Sequence, residues 1–203
     1  MKKNILIYIL LAGFFNLSKL SAQDKRTSIY GVEMRTNSLE VGAEYLKPSG
    51  DFSNVYNNGF GASLRYRFAL SEHKSLLASV GYNTFKGEVD LHGTNPIVGL
   101  HANFIPVKVG LRFRFFKYVY AAGEIGTVIK LGISGIEDVN EYARDEYRIK
   151  GLLFDFAPTL GVQIPTTGKN YLDIGFRYEG MTNSQQQIFF TGIRASYAFN
   201  IKR

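Results

Sequence analysis

The sequence contains no cysteine, and this absence excludes several kinds of chemistry. Without thiols the chain forms no disulfides, offers no thiol nucleophile and builds no cysteine-based zinc site. An exported form of this protein must therefore be held together by packing, hydrogen bonds and ion pairs alone.

Histidine is scarce, with only His73, His92 and His101 in the chain. A serine nucleophile needs a positioned base, and neither His92 nor His101 has a neighbouring serine. Asp90, His92 and His101 could gather a metal ion, but their spacing matches no ligand signature. We therefore expect no enzyme activity, no metal site and no cofactor.

Long hydrophobic runs are also missing, except at the start of the chain. Lys2 and Lys3 precede the apolar run "NILIYILLAGFF", and "SKLSAQ" follows, which is the pattern of a secretory signal peptide. We place the cut after Ala22, although Leu20 is larger than the residue usual at that position. The alternative is an uncleaved anchor, but the run is shorter than the roughly 20 residues of a spanning helix.

Charge gives little indication of a nucleic-acid partner. The formal net charge of +7 falls to +4 when Lys2, Lys3 and Lys19 leave with the signal peptide. The mature protein is therefore either soluble outside the cytoplasm or a transmembrane β-barrel.

Alternation of polar and apolar residues dominates the remaining sequence. In "VKVGLRFRF" (107–115) the charged and small residues all share one face of an extended strand. The pattern occurs in eight segments, each close to the roughly 9–11 residues that a tilted strand needs to cross a bilayer. These segments are 39–47, 60–68, 76–84, 107–115, 119–127, 154–162, 172–180 and 189–200.

The connections between these segments alternate in length. Short ones such as "IPTTGKN" are followed by longer ones such as "FKGEVDLHGTNPIVGLHANFIP", which contains His101. An even number of strands with short turns at one end and long loops at the other is typical of outer-membrane barrels with both termini in the periplasm.

The polar face carries a glycine in every segment and charges of both signs. Glycine inside a barrel makes room for bulky neighbours, and arginine favours buried, bidentate ion pairs. We therefore expect this face to line a packed lumen. The predicted lumen charges are Glu40, Glu44, Arg65, Arg67, Lys108, Arg112, Arg114, Glu124, Asp155, Asp173, Arg177, Glu179 and Arg194.

Over roughly residues 38–200 the chain resembles the small outer-membrane barrels of the OmpA/OmpX type. The resemblance is carried by the alternating pattern, by "PSGDF" after the first segment, by "LDIGFRYEGM" and by the ending "GIRASYAF". It implies an all-β, antiparallel, up-and-down transmembrane barrel of eight strands. Ten remain the alternative, because "RTSIYGVEMRTN" (26–37) could add a strand. Pro158 lies mid-strand, where we expect a bulge or kink.

The ending also resembles the signal that the barrel-assembly machinery reads, although "NIKR" follows the aromatic residue that normally closes it. The residues of this predicted signal are Gly192, Ala195, Tyr197 and Phe199.

The predicted organisation is a signal peptide at 1–22, a periplasmic lead at 23–37 and a barrel at 38–203. We expect a monomer in contact with outer-membrane lipid and lipopolysaccharide, acting as a structural or surface-interaction protein through its extracellular loops. The alternatives are a small channel or translocation accessory and, third, a lipid-modifying enzyme, since such barrels include lipid A deacylases and palmitoyltransferases.

One long connection is a candidate interaction loop because tyrosines lie among its charges; the alternative is a merely solvated surface. Its residues are Glu137, Asp138, Glu141, Tyr142, Arg144, Asp145, Glu146, Tyr147 and Arg148.

Overall fold

The computed structural model describes residues 36–89, 98–134, 151–166, 170–184 and 186–201. They form eight antiparallel strands, and all eight predicted segments are strands. Their bounds are β1 Asn37–Ser49, β2 Tyr56–Ala69, β3 Lys74–Val89, β4 Val98–Arg114, β5 Val119–Ser134, β6 Gly151–Pro165, β7 Tyr171–Thr182 and β8 Gln187–Ile201. A short 3₁₀ helix, Gly50–Asn54, lies between β1 and β2.

Each strand pairs with the next along the chain, and β8 returns to pair with β1, so the sheet closes. The closing register runs from Asn37↔Ile201 to Ser49↔Phe189. Because both edges of every strand are occupied, the sheet has no free edge for a further strand, and the ten-strand alternative is wrong. Residues 26–35 lie outside the described part of the chain.

The strands extend further toward the long connections than the sequence predicts. His101 lies in β4, so placing it in a loop was wrong. The alternation continues through this region but with reversed polarity, since Phe85 and Phe104 are the buried, inward residues there. The predicted segments were recognised by charged and small residues on the inward face, so this part of the strands was not predicted.

Pro158 causes no change of register. The pairs Phe156↔Gly180 and Thr159↔Arg177 belong to the same register on either side of the proline. Toward β5, Pro158 pairs with Gly123. The expected bulge is therefore wrong: the ring projects from the outer face, where it is exposed.

Polarity is distributed in the opposite way to that of a soluble protein. Val41, Val109 and Phe176 are exposed on the outer face, whereas Glu40 and Asp173 are fully buried inside. Such an exterior is stable where lipid covers it. Within the described ranges no helix is long and apolar enough to span a membrane.

Aromatic residues lie on the outer face toward both ends of the barrel. Tyr45, Tyr82 and Tyr178 are exposed toward the long connections, and Tyr66, Phe115 and Phe199 are exposed toward the short turns. Aromatic rings at these two levels are typical of strands that cross a bilayer.

Gly161 shows how inward glycines shape the interior. A Cβ placed on Gly161 would lie 2.5 Å from the ring of Tyr120. The buried tyrosine ring fills the space that a side chain would occupy, and this allows a large polar residue inside a narrow barrel.

The outer face can be tested by placing a charge on it. We expect Val109→Arg to lower the free energy of unfolding in phospholipid bilayers by about 2–4 kcal/mol, because the guanidinium would face lipid near mid-depth. Leu70→Arg is the matched control: Leu70 is 47% exposed and Val109 45%, but Leu70 lies in the β2–β3 turn. Equal losses in denaturant titrations of the two variants would contradict a lipid-facing Val109.

Candidate functional site

The predicted lumen charges converge on Glu40, which β1 places inside the barrel at 0% exposure. Arg112 donates to both carboxylate oxygens, at 3.1 and 3.3 Å. Arg194 Nη1 donates at 3.3 Å and Arg65 Nη1 lies 3.6 Å away. The hydroxyl of Tyr171 adds a hydrogen bond of 2.9 Å. One buried carboxylate is thus surrounded by three guanidinium groups.

Asp173 on β7 is the second acceptor at this level. The Tyr120 hydroxyl donates to it at 2.7 Å, and Gln163 Nε2 donates at 3.3 Å. Arg112 Nη1 lies 3.3 Å from Asp173 Oδ2. The same guanidinium lies over the Tyr120 ring, 4.1 Å from its centroid, a cation–π contact that holds Arg112 between its two acidic partners.

Two more carboxylates occupy the middle of the barrel, each with an arginine and a serine. Glu124 accepts from Arg65 at 2.6 Å and from Ser79 at 2.8 Å. Glu44 lies 2.7 Å from Arg177 Nη2. The Ser63 hydroxyl also donates to Glu44 Oε1, at 2.8 Å. These short charge-assisted bonds compensate for taking the carboxylates out of water.

Lys108 is the one lysine among the predicted lumen cations, and two carboxylates share it. Its Nζ lies 3.0 Å from Glu179 Oε1 and 3.4 Å from Asp155 Oδ2. Arg177 also pairs with Glu179. The three acidic residues Glu44, Asp155 and Glu179 are thus tied together through one lysine and one arginine.

Arg67 and Arg114 lie nearest the short turns. Arg67 donates to Ser38 Oγ at 3.0 Å and to the Thr36 carbonyl at 2.9 Å. Arg114 donates to Gln163 Oε1 at 3.3 Å and is only half-buried. The other twelve predicted lumen charges are all buried.

Above the charges, toward the long connections, the lumen becomes apolar. The ring of Phe52, from the 3₁₀ helix, lies 5.2 Å from that of Phe85 and 6.3 Å from that of Phe104. Phe85 in turn lies 5.2 Å from Phe190. We call these four phenylalanines the aromatic cap. The other buried members of this cluster are Leu46, Tyr56, Leu100, Ala102, Val128, Leu153, Met181 and Ile188.

Sequence reasoning missed this cap, together with Lys130, which is buried beside it. Lys130 Nζ donates to Gln186 Oε1 at 3.3 Å. Leu46 and Phe190 lie on the same faces of their strands as the predicted lumen charges. The alternation could therefore have predicted that both side chains point into the lumen. Phe52 gave no such signal, because it enters the lumen from a loop.

A small void remains among the lumen charges. It measures about 10 Å³, and its lining includes Glu44, Asn83, Lys108 and Arg177. That volume is at the lower limit for a single water molecule.

The remaining predicted residues are dispersed. On β8, Gly192 faces the lumen against Leu46, whereas Ala195 and Phe199 face outward and are exposed. Tyr197, on the same outer face, accepts a hydrogen bond of 3.1 Å from Asn170.

The candidate interaction loop, from Glu137 to Arg148, lies outside the described residues, as do Asp90 and His92. His101 lies on the outer face of β4. Among the residues that the structure describes, no three histidine or acidic side chains are grouped as a metal site requires.

Glu40→Gln tests the dependence of the barrel on its charge network. Neutralising this carboxylate leaves three buried guanidinium groups short of negative charge, so we expect a loss of about 3–5 kcal/mol of unfolding free energy. Asp51→Asn, at an exposed carboxylate in the 3₁₀ helix, should change stability by less than about 0.5 kcal/mol. If denaturant titration finds both variants equally stable, the network does not stabilise the fold.

Comparison with known proteins identifies the fold. No protein-family model and no curated protein sequence matches the chain. Among solved structures, the attachment invasion locus protein Ail of Yersinia pestis aligns with a TM-score of 0.52 and 16% identity, over 81% of this chain and 99% of Ail.

Two other barrels align similarly. The N-terminal β-barrel domain of Pseudomonas aeruginosa OprF gives a TM-score of 0.51 and 13% identity, over 81% of this chain and 98% of that domain. Neisserial surface protein A aligns with a TM-score of 0.51 and 12% identity, over 81% of this chain and 97% of that protein. The predicted resemblance to the OmpA/OmpX type is confirmed at the level of fold: the chain has the fold of the small eight-stranded outer-membrane barrels.

Proposed function

We propose that this protein is an exported, monomeric outer-membrane barrel with a closed lumen, which acts as a structural or surface-interaction protein through its extracellular loops. The observation that carries the closed lumen is the aromatic cap above the charge network. The comparisons support the coarser part of this proposal, a surface or structural barrel.

Two successive layers support closure. An eight-stranded barrel has an interior just wide enough to be filled by side chains. In the lower layer, Arg112 and Arg177 are buried in ion pairs between strands that are not neighbours in the sheet. In the upper layer, the edge-to-face contacts of Phe85 with Phe104 and Phe190 leave little space for water.

The same pairing supports a non-enzymatic role. Glu40, Glu124 and Asp173 are each engaged by at least two donors from within the lumen. The oxygens of these carboxylates are therefore occupied by donors from within the lumen and are not presented to a substrate. We therefore assign these residues to stability.

The long connections lie at the end of the barrel opposite the two termini of the sheet. With a signal peptide at 1–22 and periplasmic termini, this end faces the cell exterior. The connection between Ser134 and Gly151 is then displayed at the surface, and its acidic residues and tyrosines form the proposed contact region.

Conductance distinguishes a closed barrel from a channel. In planar bilayers we expect the refolded protein to give no discrete current steps, because the ion pairs and the aromatic cap both block the path. We expect Phe52→Ala to remain silent as well, since the charge network is intact beneath it. The double variant Phe52→Ala/Arg112→Ala should produce a leak.

Folding of each variant is checked by heat-modifiable gel mobility, and Phe116→Ala, at an exposed ring in the β4–β5 turn, is the matched control for removing a phenylalanine. Reproducible current steps from the wild-type protein would support the channel in place of the closed barrel.

Trypsin treatment of intact cells tests the orientation. We expect cleavage after Arg144 or Arg148, in the connection that the proposal exposes. Lys74 and Lys117, at the short turns, should be cut only after the outer membrane is permeabilised. Cleavage at Lys117 in intact cells, without cleavage at Arg144, would show the opposite orientation.

A further inference from the structure

Polar side chains form a row on the outer face of β1–β4, near the long connections. Asn58 pairs with Lys86, and Lys86 pairs with His101. The neighbouring pair Leu46↔Gly59 places Lys47 beside Asn58 in the same register. Lys47, Asn58 and Lys86 are exposed and His101 is partly exposed. Cross-strand neighbours lie close enough to act on one ligand.

A repeated hydrogen bond orients the amides of this region. The Tyr45 hydroxyl donates to Asn58 Oδ1 at 2.9 Å, and the Tyr82 hydroxyl donates to Asn103 Oδ1 at 3.0 Å. In both cases the asparagine lies on the next strand, one diagonal step nearer the long connections. Because a tyrosine occupies each Oδ1, the amide NH₂ groups remain as donors.

These side chains form a surface of hydrogen-bond donors, which we call the donor row: Lys47, Asn58, Lys86, His101 and Asn103. An ammonium group has three donors and no acceptor. Such a row matches a ligand with negative charge and several acceptor oxygens, and phosphate has both properties.

Among the residues that the structure describes, the donor row lies on the outer face of β1–β4. Toward the same end, β5 exposes Leu131, and β6 exposes Leu152 and Phe154, with Leu152 67% exposed. The outer face there is suited to hydrocarbon, whereas the face of β1–β4 is suited to a charged headgroup.

The position of the row favours a lipid as its partner. Its members point sideways from the barrel wall, above exposed apolar residues of the same strands, such as Phe60. Tyr45 and Tyr82 place their rings among these residues and their hydroxyls toward the polar side, as aromatic residues do at a membrane interface. A molecule that reaches the row while its acyl chains pack on these residues is an amphiphile.

We propose that the donor row binds the phosphate groups of a phosphorylated glycolipid in the outer leaflet. Lys47 and Lys86 supply the charge, and the asparagines, fixed by the tyrosines, supply oriented amide donors between them. The assignment requires only that the long connections face the cell exterior, and it is independent of whether the lumen conducts.

The test uses the full chain, without its signal peptide, in phosphatidylcholine nanodiscs with bisphosphorylated lipid A as the probe. Native mass spectrometry measures the bound lipid as a function of its concentration. We expect Lys47→Glu/Lys86→Glu to weaken binding about tenfold or more, since each basic residue near a charged membrane surface makes a substantial contribution. Lys74→Glu/Lys117→Glu reverses two charges at the opposite end and should change binding less than about twofold.

Two further measurements keep the proposal open to refutation should the reversed charges prevent folding. Tyr45→Phe/Tyr82→Phe keeps every charge but releases the asparagines, and we expect it to weaken binding about threefold, the loss of a modest hydrogen-bond contribution. Lipid A without phosphates should bind wild type and all variants equally. Equal binding of phosphorylated and dephosphorylated lipid A to the wild type, or equal losses at both ends of the barrel, would overturn the proposal. Displacement of lipid A by soluble heparin at stoichiometric concentration would reassign the row to an extracellular polyanion.

Discussion

The arrangement of the lumen depends on the ion pairs and hydrogen bonds that the buried carboxylate of Glu40 makes. Its partners come from four other strands: Arg65 from β2, Arg112 from β4, Tyr171 from β7 and Arg194 from β8. Removing a carboxylate from water has a large energetic cost unless ion pairs and hydrogen bonds replace the lost hydration. Here they do so from several directions, and the contacts with β4 and β7 tie β1 to strands with which it does not pair in the sheet.

The two layers of the lumen have complementary physical roles. The aromatic cap keeps the region above the charges apolar, and a water-poor surrounding strengthens every ion pair beneath it. The charges, in turn, need defined geometry, which the fork of arginine supplies better than lysine does. Lys108 is the exception, and it lies where Asp155 and Glu179 offer two acceptors to one compact ammonium group.

Alternation in the sequence was sufficient to predict eight strands with two distinct faces, because a period of two distinguishes the faces directly. The inward direction of the charges followed from the glycines and arginines on the polar face. Neither observation predicted the aromatic cap. Near the long connections the inward residues change from charged to apolar, so the feature used to recognise the lumen face is lost where Phe85 and Phe104 line it. The 3₁₀ helix that inserts Phe52 gives no periodic signal of any kind.

The partners within the lumen were equally beyond sequence reasoning. Arg112 and Glu40 are 72 residues apart and lie on strands that are not neighbours in the sheet. Their contact depends on how strand tilt and stagger bring opposite walls together, and no local pattern encodes this. Tyr120 is a further example: it lies on the same face of its strand as Glu124, but its place between Gly161, Arg112 and Asp173 depends on the whole barrel.

The position of Arg194 links electrostatics to the order of assembly. Arg194 lies on the last strand, and both carboxylates with which it forms its closest ion pairs, Glu40 and Glu44, lie on the first. These pairs exist only when the first and last strands have met. An open sheet in lipid would expose both acidic groups to hydrocarbon without this partner, so the half-formed barrel is penalised and the closed ring favoured. Strand closure is consequently coupled to charge neutralisation, because the final strand brings one of the cations that pair with the acidic residues of the first strand.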